Sequence, residues 1–266
     1  SKHNVFSEKP LAMDFEDASH LVALAKEFEV HLACAPCNHL SPAAEVLARV
    51  IKEGKIGEPV LVYASFEAGL THKFLPWNWT VPTGAKWPAT DEFTTGCTIE
   101  HAGYFVSNLV MLFGPIVEVR SNAYCLIPNK GLTITKTPDF TSANLLFSCG
   151  VVADVRTGMI APPDRSIVVS GSEGYVTIQD IRDDYSAVLL KKVPPKKLVS
   201  WLESRGQELL RKLAKFFKFR LFDVKVSLSE KLKNNKTKRL VKSAKFKNND
   251  FFIGPKSLLA DIQSGE

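Results

Sequence analysis

Glu100, His101 and Tyr104 concentrate acid–base chemistry within five residues of this sequence. Around them Ile99, Ala102, Val106, Leu109, Val110 and Phe113 recur at helical spacing. With that apolar stripe packed inward, Glu100, His101, Tyr104 and Asn108 are left to line a cleft. An imidazole titrates near neutrality, so His101 is the candidate base, with Glu100 or Tyr104 sharing the proton. The other reading of His101 is a helix histidine bonded within the interior. Lys9, in Glu8-Lys9-Pro10, sits in a turn that ends a short strand. Asn38 and His39 follow a second short strand at its C-terminal end, where ligands gather in parallel sheets; they read as substrate contacts or as a loop cap. His72 stands near a loop carrying Trp77, Trp79, Pro82, Trp87 and Pro88, either ligand wall or lid packing. Cys34-Ala35-Pro36-Cys37 has redox spacing, but its first cysteine falls inside a strand and no second pair completes a metal site.

The elements that must hold these residues can be read in order. Val5-Phe6 is a strand stopped by Pro10; Asp14 then caps a helix carrying Phe15, Ala18, Leu21, Val22, Ala25 and Phe28. Val30 to Ala35 is a buried strand, and Ser41-Pro42 opens a second helix that Gly54 closes. Strand, helix, strand, helix is a piece of a doubly wound sheet. After Pro59 the rhythm changes. A strand over 60–66, the Trp-rich loop, and a helix over 98–113 stopped by Gly114-Pro115 lead into strands over 116–124, 143–147, 151–156, 166–170 and 175–179. The expected fold is α/β, then α+β: the C-terminal remainder of a Rossmann-type domain over 1–57, then an open, mostly antiparallel sheet domain over 58–266. Gly171-Ser172-Glu173-Gly174 reads as a hairpin turn, being too short and acidic for a phosphate loop.

Charge divides the chain. Residues 191–250 hold 19 Lys and Arg against 5 Asp and Glu, whereas the rest holds 15 against 23. The overall +6 therefore describes an acidic body with a basic insertion over 191–249. Leu202, Leu209, Leu213 and Phe216 give 198–222 an amphipathic character, suited to weak contact with an anionic membrane surface or phosphate groups, or to packing on the sheet. No base-stacking module accompanies the charge, which excludes a specific nucleic-acid reading. No run of eighteen apolar residues and no signal-peptide pattern is present, and the five cysteines are odd in number and sparse. The expected compartment is the cytoplasm.

Glu8-Lys9-Pro10, its following helix and strand, the helix ending in Gly54-Lys55-Ile56-Gly57, the stretch Gly96-Cys97-Thr98-Ile99-Glu100-His101-Ala102-Gly103, then Leu112-Phe113-Gly114-Pro115, together resemble the Gfo/Idh/MocA oxidoreductases. The hairpin Val169 to Gly174 and the closing stretch 250–266 fit too. The resemblance implies NAD or NADP as cofactor, bound near Glu8, Lys9 and Pro10, with Lys9 projecting beside the nicotinamide where it loses its proton more easily. It implies hydride transfer on a sugar, polyol or nucleotide-sugar with Lys9 catalytic; from the residue reading His101 and Glu100 join it, and Asn38, His39, His72 and Tyr104 are the substrate candidates. The alternative is a non-redox descendant, an NAD-dependent glycosidase or a binding protein. The family's glycine-rich loop lies upstream of Glu-Lys-Pro, so the chain reads as an internal fragment, inactive alone. A homo-oligomer is expected through the sheet domain. The family pairs an aspartate with a histidine four residues on; here those positions hold His101 and Phe105.

Overall fold

The computed structural model describes residues 3–193, Gly206, 238–239 and 253–264. Most of the basic stretch, including the amphipathic segment expected over 198–222, lies outside the described residues.

Two sheets position the site. Strands β1 (Val5–Ser7) and β2 (Leu32–Cys34) pair in parallel across helix α1 (Phe15–Glu27). The Asp14 side chain accepts the Asp17 amide at 2.8 Å, satisfying a donor that the first helical turn leaves open. Helix α2 (Pro42–Lys52) starts the same way, with Ser41 Oγ accepting the Ala44 amide and proline at the first turn, where its missing N–H costs nothing. Gly54 then turns the chain at φ +62°, a conformation that favours glycine.

The larger sheet is built from β3 (Pro59–Glu67), β4 (Ile116–Tyr124), β5 (Phe140–Phe147), β6 (Val152–Gly158), β7 (Ile167–Gly171), β8 (Gly174–Ile178), β9 (Val188–Lys192) and β10 (Lys238–Arg239). Their order is β10-β9-β8-β7-β3-β6-β5-β4. Only β3 and β6 run in parallel; every other neighbouring pair is antiparallel, as the alternating sequence pattern predicts. Gly171 pairs with Gly174, so Ser172-Glu173 is the two-residue hairpin turn read from the sequence. The strand at 188–192 and its two-residue partner at 238–239 were not foreseen: Val-Leu-Leu-Lys-Lys and Lys-Arg carry no apolar alternation to read. The strand that runs into the basic segment thus pairs with residues 238–239 within it at the sheet edge.

The helix expected over 98–113 is two helices, α4 (Cys97–His101) and α5 (Gly103–Phe113). Pro36, from the loop after β2, packs against Gly103 at the break. The second helix turns Phe105, Asn108, Leu109 and Phe113 inward and leaves Val110 exposed, as Ile99 is on the first. The expected packed stripe is corrected accordingly, and Asn108 is core rather than cleft, its amide donating to the Tyr104 carbonyl at 3.1 Å. Helices α2 and α5 contribute Leu47, Val50, Phe105 and Leu109 to a core shared with Val62, Phe66, Phe147 and Val176 of the sheet. Truncating such a side chain costs about 3–5 kcal/mol, so this packing fixes the helix that carries His101 and Tyr104.

Candidate functional site

A cavity of about 350 Å³ opens beside the turn after β1 and the end of β3. Helix α3 (Ala89–Thr95), in a stretch whose Trp and Pro content reads as loop, supplies Glu92 and Phe93. Helices α4 and α5 bring Glu100, His101 and Tyr104; β3 brings Phe66; Lys9 reaches in from the β1 turn. Trp79 and Trp87, 5.2 Å apart between ring centroids, flank it, and Arg165 and Arg182 complete the lining. The volume lies in the range of small-molecule sites and suits one sugar-sized ligand.

Lys9 Nζ and Glu100 Oε2 form a close ion pair, both side chains largely buried. Burial alone would pull the lysine down, but the Glu100 bond and charge outweigh it and hold its pKa above the ordinary value. That reverses the expected easy loss of its proton: Lys9 is held as an ammonium. Glu92 is pushed up to about 7, by burial first and then by the Glu100 carboxylate, with Lys9 pulling the other way. His101 is pushed down to about 3 by burial, then by Lys9, Arg182 and Arg165, so its imidazole is neutral at every physiological pH. Its ring lies 4.5 Å from Phe66, which stacks on Tyr104 at 4.7 Å.

Other residues singled out from the sequence lie elsewhere. Glu8 and Pro10 flank Lys9 but do not line the cavity, and neither do Asn38, His39 or His72. Asn38 Nδ2 instead donates to the Ile181 carbonyl at 2.7 Å, a bracing bond. His39 and His72 are both lowered in pKa mainly by burial; His72 is also lowered by Lys73 and Lys130, away from the cavity. Trp77 packs against Gly131. Cys34 and Cys37 are free thiols raised in pKa by burial, which suits packing rather than redox work. Glu92, Arg165 and Arg182 were missed. Glu92 needed its helix to be recognised, and the arginines arrive from loops remote in sequence. No helix among the described residues is long and apolar enough to cross a membrane.

Residues 45–177, half of the chain, match the model of the GFO/IDH/MocA C-terminal domain. Among curated proteins the chain is similar to a trans-1,2-dihydrobenzene-1,2-diol dehydrogenase from Danio rerio, 23% identical over 67% of this chain and 48% of the relative. It is also similar to a D-xylose 1-dehydrogenase [NADP(+)] from Haloarcula marismortui, 28% identical over 66% of this chain and 46% of the relative. The chain thus spans about half the length of the curated relatives it matches. A solved structure of KijD10, a 3-ketoreductase from Actinomadura kijaniata in complex with TDP-benzene and NADP, superposes with a TM-score of 0.63. It is 17% identical, and the match covers 99% of this chain and 63% of that one.

Proposed function

The chain belongs to the GFO/IDH/MocA oxidoreductase family, and on that premise we propose that it forms the substrate side of an NAD(P)-dependent oxidoreductase acting on a sugar or sugar derivative. The observation that carries this reading is the Lys9–Glu100–Glu92 cluster at the mouth of a sugar-sized cavity walled by aromatic rings. The turn Glu8-Lys9-Pro10 stands at the carboxyl end of the parallel β1–β2 pair, where such sheets receive a nucleotide, and Lys9 alone of the three enters the cavity. These residues fit the nicotinamide end of the cofactor; no glycine-rich phosphate cradle stands among the described residues of β1, β2 and their turns.

When bound, the cofactor would supply or accept the hydride. The Lys9 ammonium is placed to donate a hydrogen bond to the reacting oxygen and to steady charge there. Glu100 orients that ammonium through the ion pair. Glu92, titrating near neutrality, is the residue suited to take or return the proton. His101, neutral throughout, serves as a hydrogen-bonding wall rather than as the titrating base. Trp79 and Trp87 supply apolar surface for a sugar ring, while Phe66 is buried and backs Tyr104.

A second copy of the chain would pair along the sheet, where β4 exposes Val117 and Val119; light scattering on the intact protein tests that. The non-redox alternative is favoured by one feature: Phe105 is core, so the helix offers no histidine one turn beyond His101. The deciding experiment follows reduced cofactor by absorbance, with the full-length protein, NAD or NADP, and a sugar panel. Turnover lost in Lys9→Met and Glu100→Gln supports the oxidoreductase. Cofactor that binds tightly and is never reduced by any sugar would move the assignment to the non-redox descendant.

A further inference from the structure

The loop entering β7 and the loop leaving β8 lie at one end of that hairpin, and each brings an arginine to the cavity. Arg165 lies between β6 and β7; Arg182 lies between β8 and β9. The loops are stitched together at Ile181, whose amide donates to the Arg165 carbonyl at 2.8 Å and whose carbonyl accepts from Asn38. Further bonds stiffen the second loop: Arg182 N to Asp180 Oδ1 at 3.0 Å, Tyr185 N to Asp183 Oδ1 at 3.1 Å, and Ala43 N to the Asp184 carbonyl at 3.0 Å. The guanidinium groups rest on the two stacked rings, Arg165 at 5.4 Å over Phe66 and Arg182 at 5.5 Å over Tyr104.

Three cations, Lys9, Arg165 and Arg182, line the cavity against two carboxyls, Glu92 and Glu100, the first pushed up to about 7. Arg165 reaches Asp180 only at 3.6 Å, beyond a good hydrogen bond, and its buried Nε has no hydrogen-bond partner. The Arg182 charge is felt at Glu92, which it pulls down, so it faces the cavity's own acid. Lys9 is already matched by Glu100. A buried donor left without a partner is costly, and a planar fork of N–H groups matches the two oxygens of a carboxylate or phosphate.

We propose that Arg165 and Arg182 form an oxyanion subsite, so that the substrate is an acidic monosaccharide bearing a carboxylate or phosphate, held in the cavity these arginines line. This rests on the sugar-oxidoreductase reading for its sugar, but the anion subsite can be tested without turnover. Isothermal calorimetry on the full-length protein, with NADP present, would compare glucuronate, glucose 6-phosphate and glucose. At least one acid binds more tightly than glucose, and salt at about 0.5 M weakens the acid but not glucose. Arg182→Gln and Arg165→Gln each weaken the preferred acid about tenfold or more and leave glucose within about twofold. Near-UV circular dichroism establishes that each variant is folded, and the second variant stands in if the first is not. Whichever acid wins separates carboxylate from phosphate. Neither acid binding better than glucose, or equal loss for acid and glucose in a folded variant, overturns the subsite. An acid that binds through the arginines yet never reduces cofactor leaves the subsite standing and overturns the redox reading instead.

Discussion

Two lysine–carboxylate pairs in this molecule are built from the same chemistry and placed to opposite ends. Lys130 and Asp139 are sealed, each with about 1% or less of the side chain exposed, their charged atoms 3.2 Å apart. Their remaining capacity is taken up by backbone: Asp139 accepts the Leu126 and Ile127 amides at 2.8 Å, and Lys130 donates to the Ile127 carbonyl at 2.6 Å. Lys9 and Glu100 face a cavity, and beside them stands a second carboxyl, Glu92, poised near neutrality. The saturated pair clamps the loop between β4 and β5. The pair with open volume and a titrating neighbour has somewhere to move a proton. Completeness of the partners, rather than burial, separates a clamp from a candidate catalytic group.

The sharpest way to break that contrast is Lys130→Met. Removing one member of a sealed pair strands the other, and the expected loss is about 3–5 kcal/mol in urea unfolding. Burial would raise Asp139, but the two amides and Lys130 hold it below the usual carboxylate range. Its contribution is therefore present above that range and lost as pH falls through the depressed value. Lys130→Met should shift the acid-unfolding midpoint upward. A loss under about 1 kcal/mol would mean the pair is no clamp.

Lys9→Met should show the reverse profile: turnover falls about 10²–10³-fold, while stability falls less than in Lys130→Met because the open cavity lets water reach the Glu100 left behind. Equal destabilisation by the two lysine variants erases the distinction. Glu92→Gln addresses the neighbour. The wild-type rate should bend near pH 7, and the variant should lose that limb with a drop of about tenfold at neutral pH. A bend that survives in Glu92→Gln assigns the titration to another group.

Legibility in the sequence followed the range of the interactions. The caps at Asp14 and Ser41, the turn at Gly54, the hairpin at Ser172-Glu173 and the largely antiparallel sheet are local or periodic, and their signals stand in the sequence. Helical spacing singled out Glu100, His101 and Tyr104, and family likeness added Lys9; all four line one cavity. What escaped was long-range. Nothing near Arg182 signals that Asn38, 143 positions before Ile181, braces its loop, or that the loop meets Arg165. Asn38 was singled out for substrate, yet the structure uses it one layer behind, holding the backbone that presents an arginine. His101 titrates near neutrality only in water; three cations and burial, invisible in sequence, keep it neutral.

The smallest effect concerns a carboxyl that belongs to neither pair. Glu67, at the end of β3, is 4% exposed, and its carboxyl lies so close to Gly158 of β6 that a Cβ there would overlap it. Burial, with a smaller push from Asp164, raises it to about 7 against the pull of the Ala161 amide and Arg156. A carboxyl raised in the folded state favours folding while protonated; its contribution is full below the usual carboxylate range and is lost as pH rises through about 7. Glu67→Gln keeps the shape and removes the ionisation. The variant should match wild type in thermal unfolding at about pH 4 and exceed it by about 1–2 kcal/mol at about pH 8. A constant difference across that interval would show that shape, not charge, sets the cost, and would leave the Glu92 limb as the molecule's only titration near neutrality tied to these buried carboxyls.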